Sequence, residues 1–221
     1  MDRPDLEPNL HRQALRGLAT LNVLGRSVGT LWPPIFRLAR RLGRRVRILD
    51  LATGGGDIPL KIWQRAQKTG VHVDILGIDC SAVALEVARA RAERERAEIR
   101  FAQVDVLRED LPGEHDIVTC SLFLHHLDEH DVVTLLGRMA AAARHLVLVN
   151  DLVRSRGSWI VVAAAARPFT RSPVVWTDAS RSVRAAFTVD ELHELARSAG
   201  MRDIRLTRQW LCRMLLEWSR P

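Results

Sequence analysis

The residues best placed to do chemistry are three consecutive glycines and the acids around them, Asp50-Leu51-Ala52-Thr53-Gly54-Gly55-Gly56-Asp57. Glycine lets a backbone turn sharply beneath a ligand. The run that follows, Ile58 to Ala66, is apolar at helical spacing. A glycine loop that opens a helix aims free N–H groups at a carboxylate or phosphate, so a nucleotide-like ligand with a small anionic group suits it. A dinucleotide loop would need a further glycine where Pro59 stands. A phosphate-binding P-loop needs Gly-Lys-Ser/Thr, and Lys61 is out of place for that. An ordinary glycine turn between strand and helix is the plainer alternative.

Further chemistry lies downstream. Asp79 closes an apolar, β-branched run, 71–79, one βαβ length past the glycines. Its carboxylate can accept both hydroxyls of a ribose, or it can cap the next helix, although Ser81 can do that itself. His125 and His126 follow another apolar run, 115–121, and histidine can take a proton near neutral pH. Adjacent loop residues rarely point the same way, so at most one faces a pocket, and His126 is the favoured one. Capping near Asp128 is the bland alternative for either.

These groups need strands to carry them. Apolar runs at 47–51, 71–79, 101–106, 115–121 and 146–152 read as buried parallel strands alternating with helices. Thr188-Val189-Asp190-Glu191 is a capping box, and its helix runs to Gly200. Segments 202–207 and 210–218 read as an antiparallel hairpin at the sheet edge. Leu10 to Leu42 reads as one or two amphipathic helices broken at Trp32-Pro33-Pro34, either lying over the ligand or docking as core. An apolar, arginine-bearing insertion at about 153–186 reads as a helical lid.

Asp50-x-Ala52-x-Gly54-x-Gly56, with Asp79, Asp105 and the Asp116-to-Leu127 segment in step, resembles the class I S-adenosylmethionine-dependent methyltransferases, with alanine where the first glycine usually stands. The look is closest to the quinone-biosynthesis and polyketide-tailoring branch. That resemblance implies an α/β, Rossmann-like doubly wound sheet of seven strands, mostly parallel with a C-terminal antiparallel strand. It implies residues 1–44 as an N-terminal helical lid and 45–221 as the catalytic domain. It implies S-adenosylmethionine as cofactor, held by Asp50, Ala52, Thr53, Gly54, Gly56, Asp57, Asp79 and Cys80. Asp105 would take the adenine amino group with Val106 against the ring, and Cys120 and Ser121 would lie by the methionine end. His126 or His125 would be the base. Asp151 and Arg154 would orient the acceptor or that base, and Arg184 would bind an acceptor oxygen, unless each is a structural ion pair.

The acceptor expected is a hydrophobic phenol or quinol methylated at oxygen rather than carbon. Asn150-Asp151 mimics half of a catechol-type magnesium site, but Cys120-Ser121 stands where its first acid should be, so no metal is expected. The net charge of +7 comes almost wholly from arginine. Clusters at 37–45 and 89–96 suggest either a nucleic-acid groove or solvated helix faces. Interleaved glutamates and the lack of stacking aromatics favour the second. An RNA or protein methyltransferase, and a silent cofactor-binding protein, are the alternatives. Cys80, Cys120 and Cys212 lack metal-ligand spacing, and no apolar span reaches membrane length. A cytoplasmic monomer or homodimer is the expectation.

Overall fold

A computed structural model describes residues 27–154, 185–210 and 212–220. The elements run α1 (Ser27–Leu42), β1 (Val46–Leu51), α2 (Asp57–Thr69), β2 (Val73–Asp79), α3 (Ala82–Arg94) and β3 (Ile99–Gln103). They continue with β4 (His115–Ser121), α4 (Glu129–Ala142), β5 (Ala143–Leu152), α5 (Val189–Ser198), β6 (Arg205–Gln209) and β7 (Arg213–Ser219). The seven strands form one sheet in the order β3-β2-β1-β4-β5-β7-β6. β1 to β5 pair in parallel, and β7 is antiparallel to both β5 and β6. The doubly wound sheet with an antiparallel C-terminal hairpin is therefore as the sequence implies.

Both faces of the sheet are covered, which is why its central strands are almost continuously apolar. Alternation along each strand sends Ile48, Ile75, Ile117, Leu148 and Leu215 to one core beneath α1 and α2. Leu49, Ile78, Val118, Val149 and Leu216 go to the other, beneath α4 and α5. Chain order reverses on either side of β1, towards β2 and towards β4. In such sheets the crevice beyond the carboxyl ends at that point is the ligand position.

Two expectations need correction. α1 is continuous through Pro33 and Pro34 rather than broken there. Proline already holds φ near its helical value, so the cost is two missing N–H groups and crowding against the preceding turn. Burial of Leu31, Trp32, Pro34, Ile35, Leu38 and Ala39 outweighs it. α1 docks as core on the α2 side of the sheet. The third strand ends at Gln103, leaving Asp105 two residues beyond it. The remainder of the N-terminal segment, 1–26, and 155–184 of the insertion lie outside the described residues. Among the described residues no helix is long and apolar enough to cross a membrane.

Candidate functional site

The glycine loop leaves β1 at the reversal point. Ala52 adopts φ +49°, in the left-handed region that a side chain resists, where a glycine would sit unstrained. Gly54 and Gly56 follow at φ +55° and +73°. Gly56 then opens α2, and Leu60 N–H donates to its carbonyl. Space is as restrictive as φ. A Cβ on Gly56 would sit 2.8 Å from Ala88 Cβ on α3. One on Gly77 of β2 would sit 2.9 Å from both Thr53 Oγ1 and the Phe101 ring. Arg91, also on α3, donates to the Gly55 carbonyl at 2.9 Å.

Asp50 lies under this loop, buried, with both oxygens occupied. Thr53 Oγ1 donates to one at 2.6 Å and Thr119 Oγ1 to the other at 2.7 Å. Burial pushes its carboxyl up to about 6, against the pull of the two hydroxyls. Asp50 thus braces the loop across β1 and β4. A carboxyl whose pKa is higher folded than unfolded stabilises most below the unfolded value, and that gain disappears as pH rises through the folded one. Between pH 4 and 7 wild-type stability should fall by about 3 kcal/mol from this group, at 1.36 kcal/mol per pK unit. Asp50→Asn, which does not titrate, should lack that slope in urea unfolding. Equal slopes for the two proteins would refute it.

Asp79, half-buried at the end of β2, accepts Gly54 N–H at 2.8 Å and Ser81 N–H at 2.9 Å. Ser81 caps α3 by accepting Ala84 N–H, so the acid is not needed as the cap. Asp57 stands in the first turn of α2. Cys80, next to Asp79 in the chain, is exposed, and its carbonyl accepts from Gln103 Nε2. Asp105 forms a local turn, accepting Leu107 N–H at 3.0 Å, with Val106 buried next to it. Glycine loop, Asp79 and Asp105 therefore line the same edge over β1, β2 and β3.

On the other side of β1, Leu122 turns the chain out of β4 at φ +55°. The turn aims Phe123 and Leu124 N–H groups at Asp151 Oδ2, at 3.0 and 2.7 Å. Asp151 Oδ1 accepts Leu152 N–H and stands 2.6 Å from His125 Nδ1. Burial alone would raise the Asp151 pKa, but His125 and the backbone donors hold it below the usual range. An ionised Asp151 makes Nδ1 the protonated nitrogen, leaving the Nε2 lone pair as the ring's basic site. His126 stacks on His125 with centroids 4.1 Å apart, yet is exposed. Of the two rings, His125 rather than His126 is the one buried and held by a carboxylate. Cys120 is buried, and burial pushes its thiol far up, so it is an inert packing group.

Arg154 pairs with Glu191 in the first turn of α5, as a structural ion pair would. Arg184 lies outside the described residues. Asn150 and Asp151 alternate along β5 onto opposite faces, and all Asp151 lone-pair directions are taken by N–H groups. Among the described residues no three His, Cys, Asp or Glu gather as a metal site.

Two residues were missed from sequence. Arg213, at the start of β7, is buried and donates to Ser27 Oγ at the head of α1. Burial lowers its pKa to about 10, opposed by attraction to Asp151 and Asp57. Its one signal was a charge opening an apolar run. Asn150, read only as half of a metal pair, is fully enclosed.

Residues 48–145 match the family model of the methyltransferase domain. The demethylmenaquinone methyltransferase of Thermus thermophilus is 35% identical over 118 residues, 52% of each chain. The ubiquinone biosynthesis O-methyltransferase of Acinetobacter baylyi is 35% identical over 86 residues, 38% of this chain and 34% of that one. The chain thus spans about half or less of the length of these relatives. Human N-acetylserotonin methyltransferase, solved with S-adenosylmethionine, superposes with a TM-score of 0.69 at 19% identity, covering 97% of this chain and 56% of that one. Magnesium protoporphyrin IX methyltransferase from Synechocystis, solved with S-adenosylhomocysteine, gives 0.58 at 14%, covering 96% and 84%. At those identities the two structures share the fold.

Proposed function

From the methyltransferase domain that residues 48–145 carry, we propose that the protein methylates a hydrophobic phenolic or quinol-like small molecule at oxygen, using S-adenosylmethionine and no metal. Bound at the glycine loop, that cofactor supplies a methyl group already activated on a sulfonium. The residues suit it. Gly56 presents backbone where no side chain fits, Gly54 takes a left-handed φ of +55°, and Asp79 offers a half-buried carboxylate for ribose hydroxyls. Ala52, Thr53 and Asp57 complete the loop, Cys80 flanks Asp79, Asp105 and Val106 extend the edge towards adenine, and Cys120 and Ser121 border the methionine end.

The observation that carries the reading is the buried 2.6 Å contact between Asp151 and His125 at this same edge. Asp151 holds the ring and its tautomer, and His125 Nε2 takes the proton as the acceptor hydroxyl becomes an ether. Burial at 7% exposure keeps water from competing for that nitrogen. The arginine clusters are partly spent within the fold, Arg37 on Glu217, Arg44 on Asp116 and Arg91 on Gly55, which favours a small acceptor over nucleic acid. We place the protein in the cytoplasm as a monomer or homodimer.

Incubation with methyl-labelled cofactor and pools of phenols, quinols, RNA and protein tests this. Label should enter the phenolic pool as a methyl ether. Label confined to RNA or protein would reject the proposal, and tight cofactor binding with no label anywhere would make the protein a silent binder.

A further inference from the structure

The last rung of the β4–β5 ladder pairs Ser121 with Asn150, and neither side chain is satisfied. Ser121 Oγ and both polar atoms of the Asn150 amide are buried with no hydrogen-bond partner among the described residues. Asn150 is at 0% exposure. Native interiors carry few such groups, because each forfeits its hydration without a substitute. Other polar groups on this face of the sheet are paired: Asp50 with Thr53 and Thr119, and Arg213 with Ser27.

Position says what the orphaned rung can meet. The ribose- and adenine-facing residues lie over β1, β2 and β3, whereas β4 and β5 extend from β1 in the opposite direction. Asn150, two strands from the glycine loop, stands on the side from which an acceptor must approach. Arg213 is its diagonal neighbour: Asn150 pairs with Leu215, and Arg213 is two residues along β7 on the same face. Diagonal neighbours in an antiparallel pair are close enough for a long side chain to reach across. An amide, a hydroxyl and a buried guanidinium together recognise oxygen, as hydroxyl, carbonyl or phenolate.

Resting on the methyl-transfer reading, we propose that Ser121 and Asn150 are specificity determinants that bind an oxygen of the acceptor other than the one receiving the methyl group. His125, on the opposite face of the sheet end, then addresses the reacting oxygen. A site built to bond an oxygen discriminates strongly against the analogue lacking it, because its own buried groups go unpaired.

The test uses the full chain with Asn150→Leu, Ser121→Ala and the double variant. Leucine keeps the branched four-heavy-atom outline of asparagine, with bulkier ends, and deletes its polar atoms. Calorimetry measures the affinity of a two-oxygen ring (hydroquinone or catechol) and of phenol, with and without S-adenosylhomocysteine, beside thermal midpoints. Wild type should prefer the two-oxygen ring by about tenfold or more. Asn150→Leu should lose that preference while keeping its affinity for S-adenosylhomocysteine and its thermal midpoint. Ser121→Ala should lose part of it. No preference in wild type overturns the proposal, as does a preference that survives in the double variant with a lowered midpoint, the mark of a structural pair. A loss in Asn150→Leu confined to S-adenosylhomocysteine affinity also overturns it and assigns the rung to the cofactor. If wild type binds no S-adenosylhomocysteine, the methyl-transfer reading fails, yet the ring titrations without it still decide this one.

Discussion

Gly56→Ala is expected to lower the methyl-transfer rate on the order of a hundredfold, the loss that a displacement of about 1 Å in a positioned site typically brings, and to weaken S-adenosylhomocysteine binding. Two independent effects combine at this residue. The new side chain would be forced into the left-handed region at φ +73°, which costs roughly 1–2 kcal/mol. Its Cβ would also lie 2.8 Å from Ala88 Cβ and 3.2 Å from Ala88 Cα. α3 cannot retreat, because Ala84, Leu85, Ala88 and Ala92 are packed into the core. The loop must move instead, and with it the N–H groups at the head of α2. Gly43→Ala is the control. It sits at φ +62° with nothing within 4 Å of a new Cβ, so it should lose stability through strain alone and bind as wild type does. Equal binding by the two variants in calorimetry would disconnect the loop from the cofactor.

His125→Ala should lower kcat by about 10²- to 10⁴-fold, the usual worth of a positioned general base, with cofactor affinity unchanged. His126→Ala, at an exposed ring, should keep activity within a few-fold; the reverse ranking would hand the role to His126. Asp151→Asn should mimic the His125 loss for a different reason. An amide in its place turns a donor towards the Phe123, Leu124 or Leu152 N–H groups and no longer sets the tautomer. It should also unfold more easily above pH 4. A carboxylate held below its unfolded pKa stabilises above that unfolded value, and the gain fades as pH drops through the folded one. The two acids of this site therefore give stability slopes of opposite sign, Asp50 losing stability as pH rises from 4 to 7 and Asp151 losing it in stronger acid.

Legibility differed by element. β4 was readable to the residue, because His115 and Ser121 bound a strand apolar on both faces. The capping box at Thr188 and Glu191 forms as the spacing implies, each side chain bonding the other's backbone. α1 was misread at Pro33-Pro34, where local propensity opposed a burial that no local window can weigh. Asp105 kept its place on the site edge although its strand ended sooner than expected.

The sequence by itself determined the doubly wound architecture, the glycine loop and the line of acids along one edge. Those depend on period, spacing and turn chemistry, which are local properties of the chain. Tertiary structure alone decided which histidine is buried against Asp151, that Asp50 is a brace with no free oxygen, and that Asn150 is left unpaired. It also brought Arg213 from the last strand to the head of α1. Each of these depends on which face of a strand meets which neighbour across long sequence separations. Burial and partnership at that range follow from the packing of both cores, not from any stretch of residues read in order.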